Sequence, residues 1–195
     1  GEGGINVATP EFLKKARELC DKYNALLVFD EIQCGAGRIG TYFCKDTFGV
    51  LPDVVCMAKG LGGGFPIGAI VTTGDASKVI TYGNHGTTYG GNPLACAVSK
   101  AVTSTIKNDE FLKDVKEKGN YLKEKLSQLQ DKFDFITKVK GLGLLVGIEV
   151  SITPSLITNE AFKNKLLIIT AGENVIRFLP PLNITKEEID LFIEK

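Results

Sequence analysis

The feature that most constrains this chain is a series of continuous apolar runs of strand length, two of which end on a charge. Ala25–Phe29 is followed by Asp30, and Asp53–Ala58 by Lys59; Ile67–Thr73 forms a third run. Runs without polar alternation suit strands covered on both faces, as in a parallel sheet. Helical stretches lie between them. Thr9-Pro10-Glu11 reads as a hydroxyl cap, a first-turn proline and a first-turn acid. Phe12, Ala16, Leu19 and Cys20 then recur at helical spacing as far as Tyr23. Asn92-Pro93 repeats the cap–proline signal and opens a helix to about Lys107.

A long charged amphipathic helix is expected from Asp109 to Lys132, and beyond it the pattern changes. Strands are expected at Ile136–Lys140 and Leu144–Val150, flanking Gly141 and Gly143. A short helix over Asn159–Asn164, strands at Leu166–Thr170 and Asn174–Leu179, and a final helix opened by the capping box Thr185–Glu188 complete the reading. Alternating strands and helices to residue 107 imply an α/β domain, and residues 108–195 a smaller α+β domain.

Lys and Arg number 23, as do Asp and Glu, so neither a nucleic-acid footprint nor a basic membrane patch is indicated. No apolar run approaches the roughly 18 residues that span a bilayer. The five cysteines are scattered with no CxxC pair, which argues against a zinc site or a disulfide framework and for a reduced, cytoplasmic setting. The opening Gly1-Glu2-Gly3-Gly4 has no signal-peptide character, and without a leading Met the chain is expected to begin inside a longer protein.

Four segments carry chemistry. Ligands collect at the carboxyl ends of α/β strands, where Asp30 falls; a loop acid following a strand gives the same pattern. Lys59 ends the second run and precedes four glycines in five residues, which allow close backbone approach to a ligand. A poorly solvated lysine there is a nucleophile; a surface lysine before a flexible turn is the alternative. Thr87 and Thr88, among glycines ahead of a helix start, can hold a phosphate or simply form a turn and cap. Arg177 interrupts an apolar strand and needs a carboxylate, from the protein or from a ligand. His85 is the only histidine, leaving little support for Ser/His/Asp catalysis or a histidine metal site, so no metal is expected.

Together these segments resemble the class III, fold-type-I, pyridoxal-phosphate (PLP) aminotransferases. The resemblance runs through Val28–Gln33, Gly35–Arg38, Pro52-Asp53, Ala58-Lys59, Gly63–Ala69 and His85–Ala95, and covers nearly the whole chain. Ala171–Leu182 looks specifically like the branch of the family that acts on acetylornithine. The resemblance implies part of the large mixed or parallel-sheet domain over residues 1–107 and the small C-terminal domain over 108–195.

By the same resemblance, Lys59 is the Schiff-base lysine and moves the proton between substrate and cofactor. Asp30 pairs with the pyridine nitrogen and Gln33 with the phenolic oxygen. Thr88, with Thr87 beside it, binds the PLP phosphate of the neighbouring subunit, which implies a homodimer sharing its active sites. Arg177 grips the substrate α-carboxylate, and Glu2 matches a glutamate on the substrate side of the pocket. The implied reaction moves the amino group of N-acetylornithine to 2-oxoglutarate, giving N-acetylglutamate semialdehyde and glutamate, a step of arginine biosynthesis.

Ornithine, succinylornithine and succinyl-diaminopimelate are alternative substrates; a nucleotide-binding α/β protein is a remote alternative, because neither GxGxxG nor GxxxxGK[ST] is present. The chain departs from the family pattern at Cys34 and Ile39, where threonine is common, and at Lys165, where glycine usually precedes the Leu-Leu strand. The phosphate-binding loop and helix, the ring-stacking aromatic and a second arginine are missing. The resemblance therefore implies the C-terminal half of an enzyme, inactive by itself.

Overall fold

The computed structural model describes residues 1–195. The chain forms two compact units, one of Ala8–Gly37 and Thr41–Phe111, the other of Gly1–Val7, Arg38–Gly40 and Leu112–Lys195.

In the first unit, α1 (Pro10–Tyr23) starts where Thr9 accepts the Phe12 N–H and stops where Asn24 turns left-handed. The chain then enters β1 (Val28–Asp30), a short α2 (Cys44–Phe48), β2 (Val54–Met57), a 3-10 turn at Lys59–Gly62, and β3 (Ala69–Thr72). The sheet order is β1-β2-β3. β1 and β2 run parallel, with Asp30 opposite Cys56; β2 and β3 run antiparallel. α3 (Pro93–Ile106) begins at Asn92, whose side chain accepts the Ala95 N–H. The core joins Ala36, Val55, Met57 and Leu61, with Phe29, Tyr42, Phe43 and Ile67 packed against it. Tyr42 and Thr103 share a hydroxyl hydrogen bond of 3.0 Å.

The reading of all three runs as strands covered on both faces is corrected here. Only β2 alternates buried and half-buried residues; Val28, Ile70 and Val71 are exposed. A three-stranded sheet buries its central strand first, and nothing in this chain covers the outer two.

In the second unit, β4 (Ile136–Leu142), β5 (Leu145–Val150), β6 (Ile169–Ala171) and β7 (Val175–Phe178) form an antiparallel sheet in the order β4-β5-β7-β6. Residues 112–130 of α4 (Asp109–Gln130) contribute the buried Val115, Leu122 and Leu126. α6 (Lys186–Glu194) carries the expected capping box, with Thr185 and Glu188 each bonding the other's backbone N–H. α5 (Pro154–Lys163) starts five residues earlier than expected. Thr153-Pro154 repeats the threonine–proline sequence of Thr9-Pro10, with proline at the first helical position but no cap hydrogen bond from the Thr153 side chain, and poor helix formers around it obscured the start. None of the helices is long and apolar enough to cross a membrane.

Candidate active site

The parallel pairing of β1 with β2 places their carboxyl ends side by side. Asp30 is the last residue of β1, and Lys59 stands two residues beyond the end of β2. The Glu31 N–H donates to the Cys56 carbonyl at 3.0 Å, so the pairing continues into the turn after Asp30. Asp30 Oδ1 accepts the Ile32 N–H at 3.0 Å, which shapes the turn carrying Gln33.

Lys59 adopts a left-handed backbone, with φ of 44°. That conformation is unusual for a residue with a Cβ and is held here by the 3-10 turn that begins at this residue. Gly63 continues the turn with φ of 57°, and a Cβ on it would fall 2.8 Å from Val102 Cγ2 of α3. The glycine loop is therefore packed, not slack. Lys59 itself is exposed and has no carboxylate within ion-pair distance. The expected poor solvation of this lysine is thus absent in the chain by itself, because the lysine projects beyond the strand end and no residue of the chain covers it.

Thr87 and Thr88 are exposed in the segment before α3. Thr87 Oγ1 accepts the Gly90 N–H at 3.2 Å, a local turn that leaves Thr88 unengaged. The structure brings Asp30, Gln33 and Lys59 to one end of the sheet, with the two threonines in the same unit.

Arg177 and Glu2 belong to the other unit. Arg177 lies on β7 opposite Gly147 of β5 and Ile169 of β6. Its Nε is buried without a hydrogen-bond partner, and no protein carboxylate pairs with it. A pocket of about 360 Å³ adjoins it, lined mainly by apolar side chains including Leu179, Ile184 and Phe192. None of the carboxylates of these 195 residues pairs with this guanidinium. Glu2 is exposed, but its carbonyl accepts the Gly172 N–H at 2.8 Å. That bond ties the opening segment to the turn between β6 and β7.

One feature of the site was assigned no role from sequence. Glu31 is only 2% exposed, and its carboxylate accepts the Cys44 and Lys45 N–H groups at 2.7 and 3.2 Å. It thereby caps α2 and fixes the turn after Asp30. Burial pushes its carboxyl above the usual carboxylate range, while the two N–H groups pull it back. Two acids in succession at a strand end were the available signal, since one of them must turn inward. Within the first unit the chemistry of the donor set, a carboxylate at Asp30, an amide at Gln33 and an unpaired amine at Lys59 by the carboxyl ends of β1 and β2, is of the kind that suits PLP.

Solved aminotransferases share this fold. The N-acetylornithine aminotransferase of Stenotrophomonas maltophilia superposes with a TM-score of 0.90 at 38% identity, covering 100% of this chain and 52% of that one. The acetylornithine aminotransferase of Clostridium acetobutylicum is 53% identical over 191 residues, 97% of this chain and 49% of that protein. A succinylornithine transaminase of Citrobacter koseri is 46% identical over 193 residues, 97% of this chain and 48% of that protein. Residues 1–195 match the aminotransferase class-III family, and the chain belongs to it. The chain spans about half the length of the curated relatives it matches.

Proposed function

We propose that this chain forms the C-terminal part of a PLP-dependent aminotransferase, with residues 1–107 in the large cofactor-binding domain and 108–195 in the small domain. The reaction is transfer of the terminal amino group of N-acetylornithine to 2-oxoglutarate, giving N-acetylglutamate semialdehyde and glutamate. The observation that carries the reading is the placement of Asp30 and Lys59 at adjacent ends of two parallel strands. The 53% identity to an acetylornithine aminotransferase supports the substrate.

Lys59 Nζ holds the cofactor and later takes and returns the proton of the substrate carbon. Asp30 holds a proton on the ring nitrogen, Gln33 donates to the phenolic oxygen, and Thr88 with Thr87 holds the phosphate across a homodimer. PLP, when bound, supplies an electron sink for the substrate carbanion. Arg177 orients the substrate by its carboxylate, and Glu2 stands on the substrate side. The enzyme works in the cytoplasm.

Succinylornithine is the second reading, favoured by the 46% identity to a succinylornithine transaminase. Steady-state assay of the complete protein with acetylornithine, succinylornithine and ornithine separates these. The proposal expects the highest kcat/KM with acetylornithine; a preference for either of the others, or no transamination, overturns it.

A further inference from the structure

Glu31 joins three parts of the first unit. Its N–H donates to the Cys56 carbonyl of β2 at 3.0 Å, and its own carbonyl accepts the Gly35 N–H at 2.9 Å. Its carboxylate reaches the start of α2, where Oε2 accepts the Cys44 N–H at 2.7 Å and Oε1 the Lys45 N–H at 3.2 Å. Phe43 stands at the cap position of α2 and offers no side-chain hydrogen bond, so Glu31 supplies the cap from a distant part of the chain. The Lys45 amine pairs with Asp46 instead. Glu31 is thus a buried carboxylate held by main-chain N–H groups rather than by a cation.

Stability alone does not call for this arrangement, because a well-packed apolar side chain in such a place is often as stable as a buried charge or more so. What Glu31 adds is a fixed path for the chain from Asp30 to Gly35. That path starts at Asp30, whose Oδ1 accepts the Ile32 N–H at 3.0 Å, and contains the half-buried Gln33. Gly35 closes it tightly against Glu31: a Cβ on Gly35 would lie 2.7 Å from the Glu31 carbonyl oxygen and 3.0 Å from Oε2. The turn carrying Asp30 and Gln33 is therefore pinned to β2 by the Glu31 main chain and to α2 by its side chain.

We propose that Glu31 is a positioning residue of the cofactor site, which sets the placement of the Asp30 carboxylate and the Gln33 amide through the turn it ties to α2. The inference rests on the PLP reading above. It adds that the first main-chain N–H groups of α2 belong to the support of the site, although none of its side chains is assigned there. A group held in place before its ligand arrives needs no rearrangement on binding, and a shift of about 0.5 Å is enough to weaken its contact.

The test removes one of these hydrogen bonds without altering Asp30, Glu31 or Gln33. Cys44→Pro deletes the N–H that Glu31 Oε2 accepts, at the first position of α2, where proline is favoured. Phe43 before it is already extended, with φ of −109° and ψ of 139°, as a residue preceding proline must be. Cys44→Ala loses the same thiol, keeps the N–H and serves as the reference. Titration of the complete apoprotein with PLP is expected to show about tenfold weaker binding for Cys44→Pro than for Cys44→Ala, the loss of one charge-assisted hydrogen bond. At saturating PLP the visible band of Cys44→Pro is expected to shift from that of the reference, because the ring-nitrogen proton is held less well; a loss of stability alone would not move it. Glu31→Gln, which keeps the shape but only one acceptor, is expected to act in the same direction, and to carry the test against wild type if Cys44→Pro does not fold. Combined, the two substitutions are expected to weaken PLP by less than the product of their separate effects. Equal PLP affinity and an equal band in Cys44→Pro and Cys44→Ala, wild-type affinity in Glu31→Gln, or effects that multiply in the double variant would make Glu31 structural only and overturn the proposal while the aminotransferase reading stands. A complete wild-type protein that binds no PLP overturns both.

Discussion

Gly119 of α4 lies directly against the backbone of Gly143, so closely that a Cβ on Gly119 would stand 2.6 Å from the Gly143 Cα and overlap its carbonyl. Gly143 is left-handed, with φ of 51°, in the tight turn between β4 and β5. A glycine in mid-helix sacrifices about 1 kcal/mol of helix propensity relative to alanine, and this approach explains its presence. Gly119→Ala is expected to lower stability by about 1–3 kcal/mol, because backbone cannot move aside as a side chain can. Urea unfolding checks this; a more stable variant would show that helix and turn do not touch.

Lys165 follows α5 with φ of 62°, and the Lys165 and Leu166 N–H groups close on the Phe162 and Ala161 carbonyls. That is a left-handed helix stop, a position that favours glycine. The departure from the family pattern at this residue therefore carries backbone strain. Lys165→Gly is expected to raise stability by roughly 1 kcal/mol, read as a higher urea midpoint with unchanged slope. An unchanged or lower midpoint contradicts it.

Two carboxylates of the first unit give stability opposite dependences on pH. Asp53 Oδ2 accepts the Leu27 N–H at 2.7 Å and pairs with Arg17 at 2.8 Å, which hold its carboxyl below the usual range. Its contribution is present above the unfolded value of about 3.9 and is lost as pH falls through the lower folded value. Burial raises Glu31, so its contribution is present below the unfolded value of about 4.3 and is lost as pH rises through the folded one. Asp53→Asn is expected to cost about 1–2 kcal/mol at neutral pH, with the gap to wild type narrowing in acid. Relative to Glu31→Gln, wild type should gain stability on acidification. Denaturation between neutral pH and pH 3 reads both slopes; parallel curves for either pair contradict the assignment.

Arg177 is the test of substrate binding. Its unpartnered Nε implies that Arg177→Gln raises KM for the amino-acid substrate by roughly 10- to 100-fold, the loss of charge-assisted hydrogen bonds. Cofactor absorbance should be unchanged. Unaltered KM would make the arginine structural.

Much of the fold was legible where local chemistry governs. Thr9-Pro10, Asn92-Pro93 and Thr185–Glu188 announced three helix starts because cap and first turn lie within four residues. The placement of Asp30 and Lys59 at strand ends was legible because apolar runs ended on them. Exposure of β1 and β3 was not legible, since apolar sequence records a requirement for cover and not its source. The inward turn of Glu31 escaped notice because its partners are main-chain N–H groups of Cys44 and Lys45, which carry no sequence signal. Sequence likewise stated the need of Arg177 for a carboxylate, but only the structure showed that the chain supplies none.

Lys59 is the centre of the account. The most direct measurement is the visible absorbance of the complete protein with added PLP, taken for wild type and Lys59→Ala alongside transamination of acetylornithine. The account predicts a visible cofactor band and turnover in wild type, with both abolished in the variant while far-ultraviolet circular dichroism is unchanged. A colourless wild-type protein indifferent to PLP, or a Lys59→Ala variant that keeps both band and turnover, would contradict it.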